Sequence, residues 1–308
     1  MIHLVMAAAL ALAPQDTVRT KVADVVVVPP DRAAAARVAE LVDVGYRKLR
    51  GYTGYDLNTL MNRIHGNPDV HHPRYLYEVL PPDSMWVRGW HGGLTAWDHS
   101  QIASTLVSGL SADSARAGNP AVAILWHELS NGWANVFVDY RGKDTNLPWW
   151  FASEGHAGFW KQHILTDEGF PAEAVREYAG ALTHYDRYLA DPSCTEKHGD
   201  ARCDPGSVAH VMLESLWRAH GWAPFRAAYA AVQRGALVFP KDNDGAEASG
   251  RLAYEMSRTV RRDLVPWLLS HHIAVAPDWA ERIAARHWPP DTIPTARDLG
   301  PAAGGGRP

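Results

Sequence analysis

From Ala121 to Val138 the chain is apolar on nearly every side of a helical wheel, and this segment limits the possible folds more than any other. Asn119 and Pro120 ahead of it read as an N-cap and a first-turn proline, so a helix should begin there. A helix that is apolar all round must be enclosed by other elements rather than laid on a surface. Its few polar side chains, His127, Glu128 and Asn131, are then enclosed with it and need partners. A metal ion is one such partner. The competing arrangement is a His and an Asn that satisfy each other inside a core.

The spacing sharpens this choice. His127 and Asn131 stand one helical turn apart on one face, with Glu128 beside the His. In the His-Glu-x-x-His signature two imidazoles at this spacing hold one Zn²⁺, and the Glu polarises the water that the metal binds. Here the run is His127-Glu128-Leu129-Ser130-Asn131, so a neutral amide, a much poorer zinc ligand than imidazole, stands in the second position. After a polar loop, residues 140–146, the chain resumes as Leu147-Pro148-Trp149-Trp150-Phe151-Ala152-Ser153-Glu154-Gly155-His156-Ala157. This reads as a second apolar helix with one acidic group near its start.

In these two segments the chain resembles the gluzincin metallopeptidases, whose second helix supplies a Glu as third zinc ligand. Leu147-Pro148-x-Trp150-x-x-x-Glu154-Gly155-x-Ala157-x-x-Trp160 is similar to the segment carrying that Glu. Residues 207–222 and 252–275, together with Gly51-Tyr-Thr-Gly-Tyr-Asp-Leu57 and Gly92-Gly-Leu-Thr-Ala-Trp97, resemble the enhancin-like, mucin-degrading branch and its peptidase-MA-like relatives. The likeness spans roughly residues 20 to 290 and is sharpest at 120 to 160. It implies an α+β, zincin-like fold: an N-terminal mixed-sheet subdomain over 16–118, a mainly helical catalytic subdomain over 119–295, and an active-site cleft between them. Gly92 to Trp97 resembles the edge strand on which gluzincins lay an extended substrate, and equally an ordinary hairpin arm.

Residue by residue, the resemblance gives His127 and Glu154 as zinc ligands and Glu128 as general base. Asn131 occupies the remaining ligand position, where its amide oxygen could coordinate, hold a water, or hydrogen-bond a neighbour. His156 is the nearest substitute ligand, although two residues along a helix from Glu154 it points to another side. The oxyanion donor that gluzincins place downstream has two candidates, Tyr185 and His210, each of which also reads as a packed core side chain. The implied function is a secreted zinc-dependent metallopeptidase cleaving protein or glycoprotein substrates. The alternative is an inactive relative binding peptide or glycan in the same cleft. Glu128 favours the enzyme, since a buried carboxylate costs several kcal/mol unless paired, and Asn131 favours the binder.

Composition fits a globular enzyme: 308 residues, 46% hydrophobic and 21% charged, can bury a sizeable core. The net charge of −4 and the lack of any basic block argue against nucleic acid as a partner, and the chain reads as a monomer. Residues 1–15 contain a short apolar run closing on Ala and Pro, the pattern of a signal peptide, but no Lys or Arg precedes it; the start is truncated or the segment is not an export signal. No run is long enough to span a bilayer. Cys194 and Cys203 bracket a polar loop and read as a disulfide of an oxidising compartment, in preference to a metal site with His198. Residues 296–308 read as a disordered tail.

Elsewhere the β-branched run Lys21–Val28 predicts a strand, and further strands are expected at Tyr75–Leu80 and Met85–Trp90. Helices are expected over 31–49, 171–182, 208–219, 224–233 and 251–269. The chain has thirteen tryptophans, and Trp126, Trp133, Trp149, Trp150 and Trp160 fall near the signature. They read as core side chains in preference to sugar-stacking platforms. No Gly-x-Ser-x-Gly elbow is present.

Overall fold

The computed structural model describes residues 16–27, 32–59, 75–80, 93–95, 99–103, 120–134, 150–151, 154–191, 205–237, 245–297 and 299. It is an α+β protein whose chain divides into two compact units, Met1–Arg47 with Leu57–Gly132, and Lys48–Asp56 with Trp133–Pro308. The signal-like start, the Met85–Trp90 strand, residues 135–138, Trp149, both cysteines and residues 301–308 lie outside the described residues.

The first unit holds a five-stranded mixed sheet formed by β1 (Asp16–Arg19), β2 (Ala23–Val27), β3 (Tyr75–Leu80), β4 (Gly93–Thr95) and β5 (His99–Ala103), in the order β1-β2-β3-β5-β4. Strands β2, β3 and β5 run parallel, while β1 and β4 pair antiparallel with their neighbours at the two edges. In β2 the residues Ala23, Val25 and Val27 are buried and alternate with half-exposed ones, the period-2 pattern of a strand. Central β3 is buried at every residue from Leu76 to Val79, as expected of a parallel strand covered on both faces. Thr20 closes the β1–β2 turn, its Oγ1 accepting from the Val22 and Ala23 amides at 3.1 and 3.0 Å.

Two helices pack in this unit. Helix α1 (Arg32–Thr53) buries Ala35, Val38, Val42, Tyr46 and Leu49 along one stripe. It meets α2 (Pro120–Ala134) at Gly45, where a Cβ would lie 2.8 Å from both Leu129 Cδ2 and Trp126 Cδ1. The Trp126 indole N–H donates to the Leu41 carbonyl at 2.9 Å, and the Tyr77 hydroxyl of β3 donates to the Leu125 carbonyl at 3.0 Å. The signature helix is therefore fixed to α1 and to the sheet.

The second unit contains the end of α1 and seven further helices among the described residues: α3 (Glu154–Asp167), α4 (Pro171–Ala190), α5 (Pro205–His220), α6 (Ala223–Gln233), α7 (Gly245–Val260), α8 (Val265–Ser270) and α9 (Pro277–Ala284). Helix α3 packs on α4 and α5, and α7 packs on α6 and α9. Proline opens α4, α6, α8 and α9. Helix α4 runs beyond the expected end at 182, because Tyr178, Ala181, Tyr185 and Tyr188 continue its buried stripe. The single helix expected over 251–269 is two. Arg261 turns left-handed at φ 54°, Asp263 pairs its backbone with Pro289 and Asp291, and its Oδ1 accepts from the Val265 amide at 2.9 Å to start α8. The packed chain reaches into the segment expected as a tail: Tyr178 donates to the Ala296 carbonyl at 2.6 Å, and the Ala296 amide donates to Ser215 at 3.0 Å. No helix of the described residues is long and apolar enough to cross a membrane.

Candidate functional site

Helix α2 is enclosed except along one stripe. Of its side chains from Val122 to Ala134, only Ile124, His127 and Asn131 are partly exposed, and their 3- and 4-residue spacing puts them on one face. Glu128 borders the stripe at 8% exposure. Beneath it Ser130 back-bonds to the Trp126 carbonyl at 2.7 Å, so the opposite face keeps no free hydroxyl. The pattern predicted for residues 121–138 is thus met over the described part, with the polar groups gathered on the accessible side.

Glu154 opens α3 in the second unit and is exposed, whereas the next two residues are locked. A Cβ on Gly155 would fall on the Gly206 carbonyl oxygen and lie 2.6 Å from Ala209 Cβ and 2.7 Å from the His210 amide nitrogen. Only glycine admits α5 this close. His156 is fully buried and its ring lies against Phe151, Trp160 and Tyr229. Its Nε2 accepts from the Trp160 indole at 2.6 Å and lies 3.2 Å from the Tyr229 hydroxyl. Burial lowers its pKa to about 3, so the ring is neutral at ordinary pH. That Nε2 lone pair is already in use, which removes it as a substitute ligand and leaves His156 capping a polar contact.

Tyr185 and His210 are both buried in the second unit. His271 donates from Nδ1 to the Trp267 carbonyl at 2.7 Å, which leaves Nε2 to accept from the Tyr185 hydroxyl at 2.7 Å; Thr295 Oγ1 is 2.9 Å from the same hydroxyl. His210 Nε2 donates to Gln162 Oε1 at 2.6 Å, and Gln162 Nε2 donates to Glu214 Oε2 at 2.9 Å. His163 and Arg218 also donate to Glu214, at 3.1 and 2.8 Å. Burial alone would push the Glu214 carboxyl up, but the bonds and charges of His163 and then Arg218 outweigh it and hold the pKa at about 2. These placements favour the packed-core alternative for both oxyanion candidates. The Glu214 network escaped the sequence reading, because Gln162 and His163 lie about fifty positions away from it with no motif to connect them.

The tryptophans follow the core reading. Trp126, Trp133, Trp150 and Trp160 are all buried, and each indole N–H donates inward, to Leu41, Thr53, Ser249 and His156. The Gly92–Trp97 segment contains β4, an edge strand of the sheet.

Zinc in a catalytic centre takes three protein donors and keeps one open position. His127, Asn131 and Glu154 supply that number, none of them is buried, and the imidazole and carboxylate are ordinary zinc ligands. The set contains only two side chains of the types that usually hold zinc, His127 and Asn131 lie in the first unit and Glu154 in the second, and among the described residues no group of three or more His, Cys, Asp or Glu is gathered for a metal.

The fold defines an α+β protein with a mixed-sheet unit and a helical unit. No family model matches the chain, and no curated protein matches it. Two crystal structures from Bacillus anthracis str. Ames, of a functionally unknown conserved protein and of a mutant of such a protein, are similar to it in fold, with TM-scores of 0.53 and 0.52 at 12% and 13% identity. The alignments cover 93% and 92% of this chain and 54% of theirs, so the chain spans about half the length of the structures it matches.

Proposed function

We propose that the chain is a zincin-like metallopeptidase of gluzincin type that hydrolyses peptide bonds in protein or glycoprotein substrates outside the cytosol. One observation carries the reading: the partly exposed stripe of an otherwise enclosed helix holds His127 and Asn131 one turn apart, with Glu128 at its border. Strand β4, at the sheet edge, suits an extended peptide added antiparallel or parallel to it by main-chain hydrogen bonds.

In this reading His127, Asn131 and Glu154 would hold zinc, which would supply Lewis acidity for activating a water near neutral pH. Glu128 takes the proton from the attacking water and delivers it to the departing amine nitrogen. A second reading, an inactive relative that binds peptide or glycan, is favoured by Asn131, since an amide oxygen is a poor substitute for imidazole.

Metal content by mass spectrometry, after dialysis against trace zinc, tests the choice. About one zinc per chain, lost in Glu154→Ala and His127→Ala, is expected. Glu128→Gln should keep the zinc and lose hydrolysis of a casein or mucin substrate. A wild-type protein that is folded and metal-free overturns the enzyme and leaves the binding protein.

A further inference from the structure

We infer that the face shared by α7 and α9 is a docking surface for an acidic peptide segment of a partner protein, whose carboxylates sit on arginines held against aromatic rings. The inference stands apart from the peptidase reading, since every residue it uses lies in the helical unit.

On α7, Glu247, Arg251, Tyr254 and Arg258 recur at steps of four and three and so line one stripe; Arg261 and Arg262 follow at the helix end. Trp279, Arg282 and, just past α9, Arg286 recur in the same way. The two helices pack together and their stripes meet at Trp279. A Cβ on Gly250 would lie 2.6 Å from Trp279 Cβ, so glycine seats the indole directly on α7. Glu247 fixes the ring by accepting from its N–H at 2.9 Å, and its other oxygen accepts from Arg251 at 2.6 Å. The Arg282 guanidinium lies 4.5 Å over the indole and that of Arg251 5.7 Å over it. Arg286 lies 5.7 Å over the Tyr254 ring and donates to its hydroxyl at 2.6 Å, and Trp288 adds a third ring 6.4 Å from Tyr254.

The carboxylates close by leave positive charge over. Glu247 is taken by Arg251 and Trp279, Glu255 is shared by Arg258 at 2.8 Å and Arg234 at 3.3 Å, and Glu281 lies on another side of α9. Asp278 reaches Arg282 only at 3.9 Å, with both side chains 59% exposed. Among the described residues Arg261, Arg262 and Arg286 have no carboxylate partner. A guanidinium held against a ring keeps its planar fork ordered before a ligand arrives, so less side-chain freedom is lost when a carboxylate takes that fork. Trp, Tyr and Arg are also the residues that carry most of the binding energy in protein interfaces. Nucleic acid fits less well: Glu247, Glu255 and Asp278 interrupt the arginines, and Arg282 covers the indole face on which a base would stack. Carboxylates spaced along a peptide can meet the arginines singly.

The experiment follows binding of a labelled peptide of Glu, Ser and Leu to the full chain by fluorescence anisotropy. The same peptide with Gln for Glu, a labelled DNA duplex and phosphatidylserine vesicles are measured beside it, and circular dichroism checks each variant's fold. Saturable binding of the Glu peptide, about tenfold or more tighter than the Gln peptide and several-fold weaker when salt rises from about 0.05 to about 0.3 M, is expected. Arg282→Gln with Arg286→Gln should weaken it by about tenfold or more. Arg282→Lys with Arg286→Lys should weaken it several-fold, because the charge stays and the fork does not. Arg187→Gln, which removes an exposed cation on α4, should change nothing. Equal binding of the two peptides, binding of neither, or a folded glutamine pair that binds as wild type overturns the docking surface. Should the glutamine pair fail to fold, a lysine pair at wild-type affinity overturns it as well. Tighter binding of the duplex or the vesicles than of the Glu peptide overturns the acidic peptide as the occupant.

Discussion

At the scale of single residues, Glu214 shows how a buried charge is kept. It is 1% exposed and receives hydrogen bonds from Gln162, His163 and Arg218. Its folded pKa of about 2 lies below the ordinary 4.5, so the unfolded chain binds its proton first as pH falls. The stabilisation is therefore complete above about pH 4.5 and is lost between there and about pH 2. Glu214→Gln should cost roughly 3 kcal/mol at neutral pH, since breaking one side of a buried pair strands the other. The difference from wild type should shrink toward pH 2. Urea unfolding at neutral pH and again near the folded pKa checks this, and a variant as stable as wild type at neutral pH defeats it. The residues of the α2 stripe were legible in the sequence because an apolar surround made three polar side chains conspicuous. Those of the Glu214 network were not, since their meaning lies in partners from another helix.

At the scale of elements, α3 and α5 approach through glycine. Gly155 leaves no volume between α3 and the backbone at Gly206 and His210, and Gly158 sits where a Cβ would be 3.1 Å from His210 Nδ1. Gly155→Ala must push one helix away from the other, and the neighbour it strikes is main chain, which cannot rotate aside. A loss of about 3 kcal/mol or more, at the upper end for overpacked cores, is expected in chemical denaturation. Gly180→Ala on the open face of α4 is the control, because nothing lies within 4 Å there and alanine favours helix. Equal stability of the two variants is the result that would contradict the close approach. Strands β2 and β3 and most helices were readable, because β-branched runs, prolines and apolar stripes mark them locally. Strand β5, His-Ser-Gln-Ile-Ala, was not, because its pairing with β3 and β4 rather than its own composition makes it a strand. The break between α7 and α8 was also hidden, since it depends on the return of residues 289–291 to Asp263.

At the scale of the whole molecule, the chain is an α+β protein of a mixed-sheet unit and a helical unit, and the proposed peptidase reading turns on Asn131, the one residue that separates its signature from His-Glu-x-x-His. Asn131 shares the partly exposed stripe of α2 with His127, so an imidazole introduced there would stand on the same accessible face. Asn131→His exchanges an amide oxygen for the better zinc donor and should tighten binding by about tenfold or more, equivalent to about 1.4 kcal/mol. Because a ligand that binds only the folded state stabilises it by mass action, zinc at about 100 times Kd adds roughly 2.7 kcal/mol to folding. At a fixed low zinc concentration the variant should therefore show the larger zinc-dependent rise in Tm, and Glu154→Ala placed in the same background should abolish it. Comparing wild type, each single variant and the double variant with and without chelator separates the contributions. A folded Asn131→His protein whose Tm ignores zinc would mean that the α2 stripe does not present position 131 to a metal, and the peptidase reading would fail at its central residue.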